Sequence, residues 1–303
     1  MNITDQAAIG FLSHQAAYIE PIVYRTKFED IDYTKIATVD SSAGEFTKTI
    51  EFYSQTGTGR PQWFDSQARD VPLVSGSREK FSTQIHMAAI GYGYDNFTLG
   101  YAQKMGVNLQ ADDAITCRRV YEEFIDDLVK IGDTSKGITG VYNDATVGAG
   151  FVSGGTAPAR LASAKTPAVV LADLNEGLTS VLTQSLRVEK ADTVLMDISL
   201  YRDLATTMFS VDAGRSILQA FIDGNPGLTV MPVGGLATAG AGGTRRIVFY
   251  RNGADVLKTH IPVPLKFLEV MRTGPMMYEV PGYFRTAGLE IRLPGAMRYR
   301  DGL

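Results

Sequence analysis

The side chains able to do chemistry are few and scattered. The chain holds one cysteine, Cys117, and three histidines, His14, His86 and His260, far apart in sequence. Nucleophilic catalysis needs an activated Ser or Cys held by a base. Cys117 instead falls on the apolar stripe of a helical run, where a buried structural thiol is expected, and no serine stands in a Gly-x-Ser-x-Gly context. A zinc site of the usual ligand types lacks its donors. The acidic pairs Asp112-Asp113 and Glu122-Glu123 carry the right groups for acid–base work, but on a helix such a polar face is normally solvated. Two glycine groups resemble phosphate cradles only loosely: Gly148, Gly150, Gly154 and Gly155, and Gly240, Gly242 and Gly243. A Walker loop follows its last glycine with Lys-Ser or Lys-Thr. Lys165-Thr166 lies ten residues too late, and Thr244-Arg245-Arg246 lacks the lysine. The pairs Arg118-Arg119 and Arg245-Arg246 fit surface charge and subunit salt bridges better than phosphate contacts, because the overall balance is acidic. No catalytic, cofactor or metal site is expected, and the chain does not read as an enzyme.

The totals narrow the class further. The sequence has 303 residues, 45% apolar and 20% charged, with a net charge of −4. That suits a folded core in one large domain or two ordinary ones. An acidic chain is poorly suited to strong non-specific nucleic-acid binding, which rests on Lys and Arg neutralising phosphates; incidental contact with DNA stays compatible. No run of 18 apolar residues is present, so no membrane span is expected. Met1 to Gly10 carries Asp5 and no Lys or Arg, unlike the basic start of a signal peptide. With a single cysteine, cytosolic synthesis fits best.

The spacing of apolar residues outlines the elements. Asp5 to Tyr18 reads as a short amphipathic helix ended by Pro21, lying either on its own core or on another surface. Asp95 to Gly106 reads as a short helix. The longest helix of the first half starts near Leu109, with Ala114, Cys117, Tyr121, Phe124, Ile125, Leu128 and Ile131 on one face and Asp126–Lys130 as a favourable i,i+4 pair. Val147 to Ala157 is a flexible loop by composition. Thr166 and Pro167 open a second long helix as N-cap and first helical residue. Its face is Val170, Leu171, Leu174, Leu178, Val181, Leu182 and Leu186, with Gly177 inside it at a cost of about 1 kcal/mol against Ala. Thr193–Ile198 reads as a buried strand, 200–207 and 215–222 as short helices, 228–233 as a strand. Gly234 to Thr244 has five glycines and no charge, the composition of a mobile loop. Arg246–Tyr250 and Val256–Ile261 are expected to form a hairpin about Asn252-Gly253. Two strand-like runs, 288–293 and 296–299, close the chain. Without a regular βαβ rhythm the class is α+β.

One stretch asks for a neighbour. Phe46 to Tyr53 reads as a strand, and Phe81, Thr83, Ile85 and Met87 alternate as a second. Between them, Ser54 to Arg78 carries no clear periodicity and holds Gly57, Gly59, Pro61, Trp63 and Pro72. Loops this long in a compact domain are uncommon and usually functional. Flanked by strands, it reads as a long hairpin arm with few ways to bury its apolar residues on its own subunit. Gly57 and Gly59 let the arm bend. Arg60, Trp63 and Phe64 are the expected contact residues near its tip, Trp being enriched at interface hot spots. Trp63 fits two places equally, a neighbouring subunit or its own peripheral domain.

The order of elements, and several local segments, resemble the Hong Kong 97-like major capsid proteins of tailed bacteriophages. The matching segments are Asp70-Val71-Pro72-Leu73-Val74, Tyr121-Glu122-Glu123 with Gly132-Asp133, Gly137-Ile138-Thr139-Gly140-Val141-Tyr142-Asn143, and the closing Leu293-Pro294-Gly295-Ala296-Met297-Arg298-Tyr299-Arg300-Asp301-Gly302-Leu303. The resemblance implies an N-terminal arm over 1–45 and an extended loop over 46–92. It implies a peripheral domain over 93–190 and 284–303 around a long spine helix, and an axial domain over 191–283. The loop at 234–244 becomes a candidate for the capsomer centre. It further implies self-assembly into hexamers and pentamers of an icosahedral head enclosing double-stranded DNA. Portal, scaffolding and decoration proteins are implied partners, and the place of assembly is the host cytoplasm. The covalent cross-link of some members is not carried over, because no motif here identifies its Lys and Asn. Two other readings are an encapsulin-like shell around a cargo enzyme, and a soluble enzyme holding a phosphorylated ligand in its glycine loops.

Overall fold

A computed structural model describes residues 30–61, 63, 73–98, 109–152, 165–210 and 214–303. The expected helix at 5–18, most of that at 95–106, and residues 153–164 lie outside these. Ile31–Leu303 forms one compact unit.

A five-stranded sheet divides the interior. Its order is Thr229–Val233, Thr193–Asp197, Arg246–Tyr250, Met297–Asp301, Gly148–Phe151. The outer pairs run parallel and the inner ones antiparallel. Thr193–Asp197 and Arg246–Tyr250 are buried at every position, as strands covered on both faces must be. Side chains alternate between the faces. Leu195, Val248, Tyr250, Met297 and Tyr299 enter one core with Tyr121, Ile125 and Val129. Val194, Met196, Ile247 and Phe249 enter another with Val170, Leu174, Leu200, Leu204 and Phe221.

Helices close both cores. The spine helix spans Leu109–Lys130 over 22 residues, about 33 Å at 1.5 Å per residue. Cys117, Tyr121, Ile125 and Leu128 are buried as the spacing requires; Val129 joins them, while Phe124 and Ile131 stay about half exposed. Asp126 and Lys130 are buried rather than solvated, 2.5 Å apart. The Asp126 carboxylate accepts the backbone N–H of Asp32 at 3.1 Å and of Tyr33 at 2.9 Å. It thereby caps the short helix Tyr33–Ile36, whose first N–H groups otherwise have no partner.

On the other face lie Pro167–Gln184, Ile198–Thr206 and Ile217–Gly224. Thr166 is the N-cap residue and Pro167 opens the helix, although the threonine hydroxyl makes no capping bond. Leu186 lies beyond the helix, exposed and in the left-handed region at φ 54°. Gly177 has a packing reason: a Cβ there would come within 2.3 Å of the Phe249 ring.

A further sheet carries the outward elements. His86–Asp95 pairs antiparallel with Met277–Thr286 over ten residues, and Val263–Phe267 and Met271–Arg272 flank the latter. Met277–Thr286 is a strand that the sequence reading leaves unassigned. Pro281 interrupts its alternation, and a proline argues against strand. Its inward residue Phe284 meets Tyr121 and Phe124 edge-on, at 4.8 and 5.6 Å between ring centres. Lastly, Thr38–Asp40 pairs parallel with Leu257–His260, which pairs antiparallel with Gly288–Ile291.

Three expectations are corrected. Arg246–Tyr250 and Leu257–His260 form no hairpin; each pairs in a different sheet. The Asn252-Gly253 turn carries the chain between them, held by Asn252 Nδ2 donating to the Lys35 carbonyl at 3.0 Å and Asn252 N–H donating to Asp192 at 2.7 Å. Gly148–Phe151 is an edge strand, not loop. The Gly234–Thr244 loop is pinned: Leu236 is fully buried, Ala241 N–H donates to Asp301 at 3.0 Å, and the Tyr142 hydroxyl donates to the Gly234 carbonyl at 3.1 Å. Pairing and packing also run across the expected bounds at 92/93, 190/191 and 283/284. Residues 86–92 belong to a body sheet. The helix at 167–184 and the strand at 297–301 share cores and a sheet with residues 193–250.

Candidate inter-subunit surface

The arm is a two-stranded ribbon. Thr49–Thr58 and Ser75–Gln84 pair antiparallel over ten residues each, from Thr49 opposite Gln84 to Thr58 opposite Ser75. The regular ladder therefore continues well past Tyr53. Its alternation is polar on both faces, so hydrophobic periodicity could not reveal it. At the root the chain switches sheets. Ile85 is buried and donates its N–H to the Lys48 carbonyl at 2.9 Å, while His86 begins the body strand. The run Phe81, Thr83, Ile85, Met87 thus belongs to two strands.

The root is anchored on its own subunit. Phe52 and Phe81 stack with ring centres 5.0 Å apart, and the Arg292 guanidinium sits 5.1 Å over Phe52. A cavity of about 630 Å³ lies beneath, lined by Phe52, Phe81, Lys136, Leu289 and Arg292 among others. Further out, among the described residues, the ribbon is held by its own ladder and exposed side-chain pairs, such as Lys80–Glu51 at 2.7 Å and Arg78–Gln55 at 3.1 Å. Such pairs contribute little, on the order of 0–1 kcal/mol.

Toward the tip stand most of the residues singled out from sequence. Gly57 faces Gly76 across the ladder, leaving a waist without side chains. A Cβ on Gly59 would meet Val74 at 3.1 Å. Arg60 is exposed. Trp63 is fully exposed, and Leu73 and Val74 are 88% and 78% exposed. Phe64 lies outside the described residues. Leu73, Val74, Phe52 and Arg292 are surface or root residues that sequence reasoning missed; only the apolar pair Leu73-Val74 carried a local signal.

The other reactive groups have structural partners. Cys117 is buried, and burial followed by the charge of Asp113 pushes its thiol pKa up, away from the nucleophilic thiolate. Arg118 and Arg119 pair along the helix with Glu122 and Glu123 at 3.6 and 3.0 Å. Arg246 is buried, bonds both Asp301 oxygens at 2.7 and 2.8 Å and the Tyr142 carbonyl at 2.6 Å, and stacks on Tyr299. Arg245 reaches Ser199 Oγ at 3.2 Å. Lys165 pairs with Asp173 at 2.8 Å. Among the described residues, no group of three or more His, Cys, Asp or Glu could hold a metal ion, and no helix is long and apolar enough to cross a membrane.

Known structures share this arrangement. The capsid of Myoviridae phage XM1 superposes with a TM-score of 0.82 at 19% identity, over 96% of this chain and 98% of that one. The capsid of a native GTA particle gives 0.68 at 12% identity, over 99% of each chain. A Mycobacterium phage Ogopogo chain gives 0.58 at 12% identity, over 96% of this chain and 98% of that one. The fold is the Hong Kong 97-like fold of phage capsids. The major capsid protein family matches residues 59–303, and the chain belongs to that family. It is thus a structural protein of a phage or phage-like capsid. No curated protein matches it by sequence.

Proposed function

We propose that the protein self-assembles, as hexamers and pentamers, into an icosahedral phage head that encloses double-stranded DNA. The observation carrying this reading is the exposed ribbon of ten residue pairs in a chain of the capsid family. Rings of one subunit need different patches on opposite edges. An arm rooted on its own body and bare beyond provides one of them. Gly57, Gly59, Arg60, Trp63 and Phe64 make the contact with the next subunit, and the glycine waist lets one arm serve positions of different curvature. Residues 191–283 form the axial part, and residues 93–190 with 284–303 form the peripheral part around the spine helix. Assembly takes place in the host cytoplasm, with a portal and, where used, scaffolding or decoration proteins as partners. DNA is held without sequence preference.

The test replaces residues 57–76 by Asn-Gly, closing the ladder at Thr56 and Ser77 with a turn that suits a hairpin. Electron microscopy should show shells from the parent protein and none from the variant, with an unchanged circular dichroism spectrum. Normal shells from the variant would refute the arm's role. A parent protein that stays monomeric under all conditions would refute the assembly itself.

A further inference from the structure

Two parts of the molecule lie at its margin, the edge strand Thr38–Asp40 and the hairpin arm. A line of polar and charged side chains connects them. Asp40 accepts from Lys258 Nζ at 3.0 Å and lies 3.9 Å from His260 Nδ1. The other ring nitrogen of His260 is 2.7 Å from Glu290 Oε2. That same oxygen accepts from Arg292 Nε at 3.0 Å and is 2.9 Å from its terminal nitrogen. Arg292 carries the line onward to Phe52 at the arm root. His260 and Glu290 are 3% and 5% exposed. The line crosses four segments that are distant in sequence.

We propose that His260, Glu290 and Arg292 couple these two elements, so that loosening either one loosens the other. A buried carboxylate is tolerated only while paired and hydrogen-bonded. Glu290 shares one oxygen between a histidine oriented by Asp40 and an arginine that must also cover Phe52. Removing Asp40 takes away the charge 3.9 Å from the imidazole, and Glu290 then leans more on Arg292 and on Thr83 of the arm, whose hydroxyl donates to its other oxygen at 3.5 Å. Displacing Phe52 frees Arg292 and changes what Glu290 offers His260. Coupling across a distance requires two self-consistent arrangements of such a line, here one with the imidazole held between Asp40 and Glu290 and one with it released. The coupling is a property of the single chain. The assembly reading supplies only its use, since the arm is the element proposed to meet a neighbouring copy.

Amide hydrogen exchange on the soluble full-length subunit tests it. D40N should speed exchange at residues 38–40 and also at 50–52 and 81–83 in the arm root, the latter by roughly threefold to thirtyfold, the range of measured couplings. Linkage is reciprocal, so F52L should speed exchange at 38–40. In an H260Q background the effect of D40N on the arm root should vanish; E290Q provides the same comparison if H260Q does not fold. Faster exchange confined to 38–40 in D40N, with the root unchanged, would overturn the proposal. So would an effect of D40N that persists in both H260Q and E290Q. Neither outcome bears on whether the protein forms shells, which microscopy reads separately.

Discussion

The strands Thr193–Asp197 and Ser75–Gln84 have the same backbone and opposite circumstances. The first is buried at every residue and covered by helices on one face and the spine-helix core on the other. The second is exposed at nine of its ten positions and has one partner strand. A two-stranded hairpin alone is marginal in water. The body can stand by itself, whereas the arm holds its shape through its root and through whatever covers it. Stability and assembly therefore reside in different regions, and substitutions should separate them.

The largest effect on the body is expected at Asp301. D301A leaves the buried Arg246 guanidinium without its carboxylate, and breaking a buried pair costs about 3–5 kcal/mol. Calorimetry should show a fall in Tm on the order of 10 °C; a shift of a degree would mean that the pair is dispensable. G177A comes next. The added methyl meets the Phe249 ring, and overpacking of this kind costs about 1–3 kcal/mol, measurable as a lower denaturation midpoint with the slope unchanged.

Acid gives a smaller, graded effect. Hydrogen bonds from Ser42 and then Lys258 hold the Asp40 carboxyl well below the usual range. Burial pushes Glu290 up, but His260 and Arg292 outweigh it and leave it below its ordinary value. Groups lowered in the fold stabilise it fully above the unfolded value, near pH 4, and lose that contribution as pH falls through the folded values. Stability from these two groups should be level above about pH 5 and decline below about pH 4, with a shallower decline in E290Q. The smallest effect on the body is expected from W63A. Unfolding should change within about 0.5 kcal/mol, while light scattering should show slower shell formation. A large loss of stability would place Trp63 on its own body and erase the contrast between the regions.

Local signals in the sequence located most single elements. Three-and-four spacing placed the spine helix at its observed start, Thr166-Pro167 opened the second helix, and the apolar run at 193 marked a buried strand. Signals failed where pairing is a matter between distant segments. Asn252-Gly253 has hairpin chemistry, yet its two strands find partners elsewhere. Gly148–Phe151 has loop composition, and the closing strand recruits it as an edge. Asp126 and Lys130 have the look of a solvated pair until the turn at Asp32 is brought over them.

What the sequence by itself determined is the set of pieces, because helix spacing, caps and the lack of reactive clusters are local or compositional. It also marked the arm as a segment without an interior of its own. Only the tertiary structure decided which strands share a sheet, that one sheet separates two cores, and that His260 faces Glu290 and Asp40. Those outcomes depend on pairings between segments from a few tens to some two hundred residues apart, whose hydrogen bonds are nearly alike for any sequence, and are selected by which side chains fill the space between layers.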